Sequence, residues 1–124
     1  MWSRKIHLRG VAIGECGSAA LALLQCCDVR YAVAGCAFFI HNMTSTYTYT
    51  DGDHDLEKFM ARVKTTEDLH NELIRMQCQR SNIKEETWRE LANLGSKINH
   101  PIMADEALEL GLIDRIIPRY PILE

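Results

Sequence analysis

A serine and a histidine stand at the ends of two apolar segments in the first third of the chain. Ser18 follows the small-residue stretch 14–17, between a β-like segment and an apolar helical one. His41 closes a second β-like segment, 37–41. A hydroxyl and an imidazole at two element ends are the minimum parts for nucleophilic acyl transfer, with the serine as nucleophile and the histidine as general base. The rest of the chain must show whether such a site is completed.

Each of these residues also has a structural interpretation. Ser18 is a good N-cap, because its hydroxyl can accept a hydrogen bond from a free backbone N–H of the following helix. His41 alone is typical of a hydrogen-bonded histidine at a strand end. Cys16 has a thiol that could act as a nucleophile, but we interpret it as a small packing residue. Both interpretations of Ser18 and His41 stay open at this point.

Length, composition and charge limit the classes of protein to which the chain can belong. The 124 residues allow one domain, 1–124, and a hydrophobic fraction of 47% is enough for a core. A net charge of −3 gives no basic footprint for nucleic acid, and no apolar run approaches the ~20 residues of a membrane span. The five cysteines are odd in number and form no C-x-x-C pair, which favours reduced thiols in a cytoplasmic protein. The basic N-terminus has no h-region of a secretion signal.

Metal-ligand spacing is absent from the histidines. His54 is near Asp51, Asp53 and Asp55, but these carboxylates lack the full calcium-loop pattern, so a solvated loop is the interpretation we prefer. His7, His70 and His100 are interpreted as surface or structural residues. The sequence therefore predicts no metal site.

Hydrophobic periodicity predicts an α/β layer structure. Asn82 followed by Glu85 resembles a capping box, and Gly95 is expected to end the helix that starts there. The amphipathic helix 56–80 is longer than a small domain usually needs, which favours an oligomer contact. In chain order the prediction is strand 6–13, turn 14–17, buried helix 18–27, strands 28–34 and 37–41, an exposed strand or loop 43–55, helices 56–80, 83–94 and 104–110, and strand 112–117.

Three blocks of the sequence resemble one family. The chain is similar to the C-terminal part of Clp-type proteolytic subunits, the self-compartmentalising serine peptidases of the crotonase-like superfamily. The blocks that carry this resemblance are Gly14-Glu15-Cys16-Gly17-Ser18-Ala19-Ala20, Phe39-Ile40-His41-Asn42, and the closing Met103-Ala104-Asp105-Glu106-Ala107-Leu108-Glu109-Leu110-Gly111-Leu112-Ile113-Asp114-Arg115-Ile116-Ile117. They look like the family's nucleophile turn, its histidine block and its last helix-to-strand block, in the same order.

The resemblance implies a fold and a set of roles. The fold would be a partial crotonase-like ββα superhelix whose long handle helix is 56–80, the element through which family rings stack. Ser18 would be the nucleophile, His41 the general base and the Ala19 amide an oxyanion donor. Asn99 stands where the family has its catalytic aspartate. An asparagine cannot supply that negative charge, and the same replacement in the triad of an unrelated serine protease costs ~10⁴ in turnover.

Family subunits carry further N-terminal βα units, with a glycine-rich loop that donates the second oxyanion amide, and few residues precede Ser18 here. The resemblance implies an ATP-dependent serine endopeptidase that acts on peptides or unfolded protein, assembles as a homo-oligomer, receives substrate from an AAA+ unfoldase and needs no cofactor for hydrolysis. Asn99 and the short N-terminus favour an alternative, a catalytically inactive assembly subunit or fragment. A third hypothesis is a crotonase-type acyl-CoA enzyme, which needs neither Ser18 nor His41.

Overall fold

The computed structural model describes residues 6–45 and 55–118, and these form a mixed α/β structure. The α/β class predicted from the sequence is therefore confirmed at this level. The elements in chain order are β1 (Arg9–Ala12), β2 (Glu15–Gly17), α1 (Ala19–Gln25), β3 (Val29–Val33), β4 (Ala37–Phe39), α2 (Leu56–Gln79), α3 (Glu85–Ile98), β5 (Pro101–Met103), α4 (Ala104–Glu109) and β6 (Arg115–Ile117).

The strands make two three-stranded sheets. β1, β3 and β6 form the first in the order β1-β3-β6, with parallel pairing throughout. β2, β4 and β5 form the second, where β2 and β4 are parallel and β5 is antiparallel to β4. The chain passes from the first sheet to the second twice, at Gly14 (φ 72°) and Gly35 (φ 85°), where a left-handed backbone favours glycine. The Ala37 N–H donates to the Gly14 carbonyl at 2.9 Å and joins the two turns.

The core lies between the sheets and the helices. Both sheets and all four helices contribute buried apolar side chains to one cluster, including Phe38, Leu21, Ile74, Ile102 and Leu112. Alternation explains the strand contribution, since Phe38 at the centre of β4 is fully buried and its two neighbours are half-buried. Across residues 6–45 and 55–118, no helix combines the length and the apolar content that a bilayer crossing requires.

The predicted start and end of the helix after residue 80 were wrong. α3 begins after Lys84 with no side-chain cap, because the Asn82 backbone N–H donates to Leu110 beyond α4. α3 also runs through Gly95 and ends at Asn99, whose left-handed backbone (φ 50°, ψ 50°) and N–H bond to the Gly95 carbonyl make it the C-cap. Gly95 is instead needed for packing, since a Cβ there would lie 1.8 Å from the Ile40 carbonyl oxygen.

α2 agrees closely with its prediction. It has 24 residues, or about 36 Å of helix, and starts at Asp55, whose carboxylate accepts the Glu57 N–H at 2.9 Å. Its C-terminal part packs through Ile74, while Leu56, Met60 and Leu69 are 71%, 55% and 53% exposed. The predicted strand or loop 43–55 falls mostly outside the described residues, as do His54, Asp51 and Asp53. β2 and β5 were not predicted.

A group of polar side chains around the buried Gln25 and Arg30 fixes the C-terminal end of α1. We call Gln25, Arg30, Arg80 and Asp114 the arginine clamp. Arg30 is 5% exposed and forms a two-point pair with Asp114, Nη2 to Oδ1 at 2.8 Å and Nε to Oδ2 at 3.1 Å. Its Nη1 donates to the Gln25 side chain and to the Arg80 carbonyl. These bonds join α1, β3, α2 and the turn before β6.

Candidate acyl-transfer site

Ser18 occupies a strained turn between β2 and α1. Gly17 pairs with Phe39 in the sheet, and the Ser18 N–H donates to the Phe39 carbonyl at 3.4 Å. The chain then turns at once into α1, and Ser18 takes φ 55° and ψ −127°, a conformation that a non-glycine residue rarely adopts. Such backbone costs ~1–3 kcal/mol and concentrates at functional sites. A strained strand-to-helix turn is also how nucleophilic serines are presented in α/β-hydrolases.

The N-cap interpretation of Ser18 does not account for this conformation. The Ser18 side chain makes no capping hydrogen bond to α1, although it stands at the capping position. The residue is exposed. The serine is thus held in an unfavourable backbone without the stabilisation that a cap provides.

His41 follows β4 on a short segment that α3 supports. The Asn42 N–H donates to Ser96 Oγ at 2.8 Å, and Asn42 Nδ2 donates to Asn93 Oδ1 at 2.8 Å. The absence of a side chain at Gly95 lets α3 approach the Ile40 carbonyl closely enough for these bonds to form. The ring Nδ1 of His41 lies 2.8 Å from the Asn42 carbonyl oxygen.

One cavity brings Ser18 and His41 together. It has a volume of about 180 Å³, and its wall is mostly apolar, with Leu21 from α1 and Trp88 from α3. From α2 it receives His70 and the buried Gln77, whose Oε1 has no hydrogen-bond partner among the described residues. Gln77 Nε2 donates to the Leu73 carbonyl at 3.3 Å. An apolar recess beside a serine and a histidine suits an acyl group with an apolar side chain.

Asn99 lies beside His41 in a second cavity. That cavity is lined by His41, Asn99 and Glu15, with Gly17 and Phe39, and Ser18 is not part of its wall. His41 therefore borders both cavities, one with Ser18 and the other with Asn99. The structure supplies its own reason for an asparagine at position 99, because asparagine tolerates the left-handed backbone that ends α3.

Ala19 is the first residue of α1. The first N–H groups of a helix have no intrahelical acceptor, so the Ala19 amide is of the kind that can donate to an oxyanion beside Ser18. This position fits the role that the resemblance implies for it.

The thiols and the metal-ligating side chains do not form a competing site. Cys16 is 5% exposed, and burial, followed by the electrostatic effect of Cys36, raises its pKa to about 11. It is therefore a protonated thiol at neutral pH and a poor nucleophile, in line with a packing role. All five cysteines are free. Among residues 6–45 and 55–118, no group of three histidine, cysteine or acidic side chains is arranged to hold a metal ion.

Four residues of the site were missed from the sequence: Glu15, His70, Gly95 and Ser96. Gly95 carried a usable signal, because a glycine inside a helical pattern often marks a close packing contact. Glu15, His70 and Ser96 carried none, since their proximity to His41 depends on pairing between distant segments. Comparison of the chain with protein-family models found no match, and comparison with curated proteins found none either.

Proposed function

We propose that the chain is a subunit of a Clp-type serine endopeptidase that hydrolyses peptide bonds through an acyl-enzyme on Ser18. The observation that carries the proposal is the strained Ser18 backbone at a strand-to-helix turn, in a cavity that His41 shares. The three sequence blocks that resemble the Clp-type family support the same proposal. The hydroxyl makes no capping bond to α1, so a capping role does not account for the serine at this position.

The proposed reaction uses three groups of the site. Ser18 Oγ attacks the peptide carbonyl carbon while His41 Nε2 takes the hydroxyl proton, and the carbonyl oxygen becomes an oxyanion near the Ala19 N–H. Collapse breaks the C–N bond, and the imidazolium gives its proton to the leaving amine. Water then attacks the ester with His41 again as base, which releases the acid and restores the serine. No cofactor takes part in these steps.

The shared cavity would hold the side chain on the acyl side of the broken bond. Its apolar wall, formed by Leu21, Ile74 and Trp88 among others, favours an apolar side chain. A volume of about 180 Å³ is of the order of one side chain. Peptides or unfolded proteins are the proposed substrates because the family resemblance implies them.

An assembly role without catalysis is the second candidate. α2 exposes Leu56, Met60 and Leu69, and a long helix with unpaired apolar residues suits contact with another copy of the chain. Under both candidates we propose a homo-oligomer that contacts its neighbours through α2. An AAA+ unfoldase as supplier of substrate is proposed from the family resemblance alone.

A fluorophosphonate probe separates the two candidates, because it forms a covalent bond only with an activated serine. We expect the wild-type chain to be labelled and Ser18→Ala to be unlabelled. Ser45→Ala, at another exposed serine, is the matched control and should keep the wild-type rate. The asparagine at position 99 leads us to expect slow peptide turnover. A folded wild-type chain that is never labelled would exclude the peptidase and favour the assembly role.

A further inference from the structure

The hydrogen-bond partner of His41 fixes which ring nitrogen carries the proton. Nδ1 lies 2.8 Å from the Asn42 main-chain oxygen, and a carbonyl oxygen can only accept. The hydrogen of a neutral His41 is therefore on Nδ1, and Nε2 keeps its lone pair. This is the tautomer that a general base for a neighbouring hydroxyl requires, and in triads an acidic side chain normally selects it.

The Asn42 carbonyl has a fixed position because α3 holds the same residue twice. Its N–H donates to Ser96 Oγ, and its side-chain amide donates to Asn93 Oδ1, each at 2.8 Å. Ser96 directly follows Gly95, which lies against Ile40, and Asn93 is one turn before Ser96 on the exposed side of α3. The acceptor for the imidazole is thus anchored to a 14-residue helix rather than to the loop alone.

We propose that the main-chain carbonyl of Asn42, anchored by Ser96 and Asn93, replaces the acidic residue and makes Ser18 and His41 a two-residue catalytic unit. The inference rests on the proposed function and deepens it. Ser96 and Asn93 are positioning residues, since they act on His41 only through Asn42. A carbonyl dipole stabilises an imidazolium less than a carboxylate does, so this unit selects the right tautomer but transfers acyl groups more slowly than a full triad.

Two side chains compete with the carbonyl for this role. Asn99 and Glu15 line the second cavity with His41. The single hydrogen on Nδ1 is already donated to Asn42, so neither side chain is its partner in this arrangement. The Asn99 backbone is also committed to ending α3.

The tautomer can be measured without any activity. Nitrogen-15 NMR of the ring of His41 in the full chain, at about pH 8.5 where an ordinary imidazole is neutral, reports which nitrogen is protonated. We expect the Nδ1–H form in the wild type, a shift toward the Nε2–H form in Ser96→Ala, and the wild-type form in Ser96→Thr, which keeps a hydroxyl. An Nε2–H wild type would overturn the inference, as would a Ser96→Ala ring identical to that of the wild type.

The labelling rate gives the second test. We expect Ser96→Ala to react with the fluorophosphonate about tenfold more slowly, a part of the ~10²–10⁴ that a positioned base contributes, with rescue by Ser96→Thr. Thermal unfolding checks that each variant is folded. If Asn99→Gly or Glu15→Gln slows labelling while Ser96→Ala does not, the acid role belongs to that side chain and the inference fails. An Nδ1–H ring in a chain that never labels would instead count against the proposed function and leave the ring assignment standing.

Discussion

The two ends of α1 are built in opposite ways. At its N-terminal end Ser18 is exposed, with a positive φ and no side-chain cap. At its C-terminal end Arg80 donates to the carbonyl of Gln25 at 2.9 Å and to that of Cys27 at 2.6 Å. Both polar atoms of the Gln25 side chain are also hydrogen-bonded, since Nε2 donates to the Leu112 carbonyl and Oε1 accepts from Arg30. The whole of α1 between these two ends is only seven residues long.

The difference indicates where the strain at Ser18 is offset. Strained backbone persists only when the surrounding structure over-determines it. The clamp and the buried Leu21 and Leu24 hold α1 in place, and the pairing of β2 with β4 holds the chain before Ser18. Ser18 connects two fixed elements, so its conformation is imposed by them.

Loss of Arg30 should have the largest effect, because it removes the centre of the clamp. Arg30→Met removes the buried guanidinium that donates to the Gln25 side chain and to the Arg80 carbonyl, whereas Asp114 is partly exposed and keeps its bond from the Arg30 main-chain N–H. Leaving a buried polar group without its partner costs ~1–3 kcal/mol, and we expect the free energy of unfolding to fall by about that amount in urea titration. Arg75→Met is the control, since Arg75 is exposed and pairs with Glu72 on the surface of α2, where a pair is worth ~0–1 kcal/mol. Equal losses in the two variants would show that the clamp does not hold α1.

Acid should weaken the clamped end by a smaller amount. The hydrogen bond from Arg30 is the main cause that lowers the pKa of Asp114 below its ordinary value of 3.8. A carboxyl whose pKa is lowered by folding adds stability above its unfolded pKa and loses it as the pH falls through the folded pKa. We therefore expect the urea midpoint to fall as the pH drops from about 5 toward 3, a window set by the ordinary pKa. The dependence should be weaker in Asp114→Asn, and equal slopes would contradict the assignment.

The sequence predicted α1 and the strand that follows it, but not β2 before it, nor what distinguishes the two ends of α1. The apolar run 18–27 predicted α1 and the long amphipathic pattern of 56–80 predicted α2, because both signals are local in the sequence. β2 and β5 have only three residues each, and each contains a residue that is unfavourable in strands, Gly17 in β2 and Pro101 in β5. The local pattern predicts a helix end at Gly95, because the packing contact with Ile40 that requires a glycine there is made with a distant part of the chain. Ser18 and His41 were found from residue type, whereas the strain and the Asn42–Ser96 bond exist only once distant segments meet.

The smallest predicted effect compares the two non-glycine residues with positive φ, Ser18 and Asn99. Ser18→Gly removes the Cβ that makes φ 55° unfavourable, so we expect it to be about 1 kcal/mol more stable than Ser18→Ala, which keeps the Cβ. Asn99→Gly should change the free energy of unfolding by only a few tenths of a kcal/mol, because a helix-ending asparagine already tolerates this backbone. Urea titration of the three variants measures both differences. A gain at Asn99 as large as that at Ser18 would mean that the two positions carry the same strain, and the backbone of Ser18 would then no longer mark a functional site.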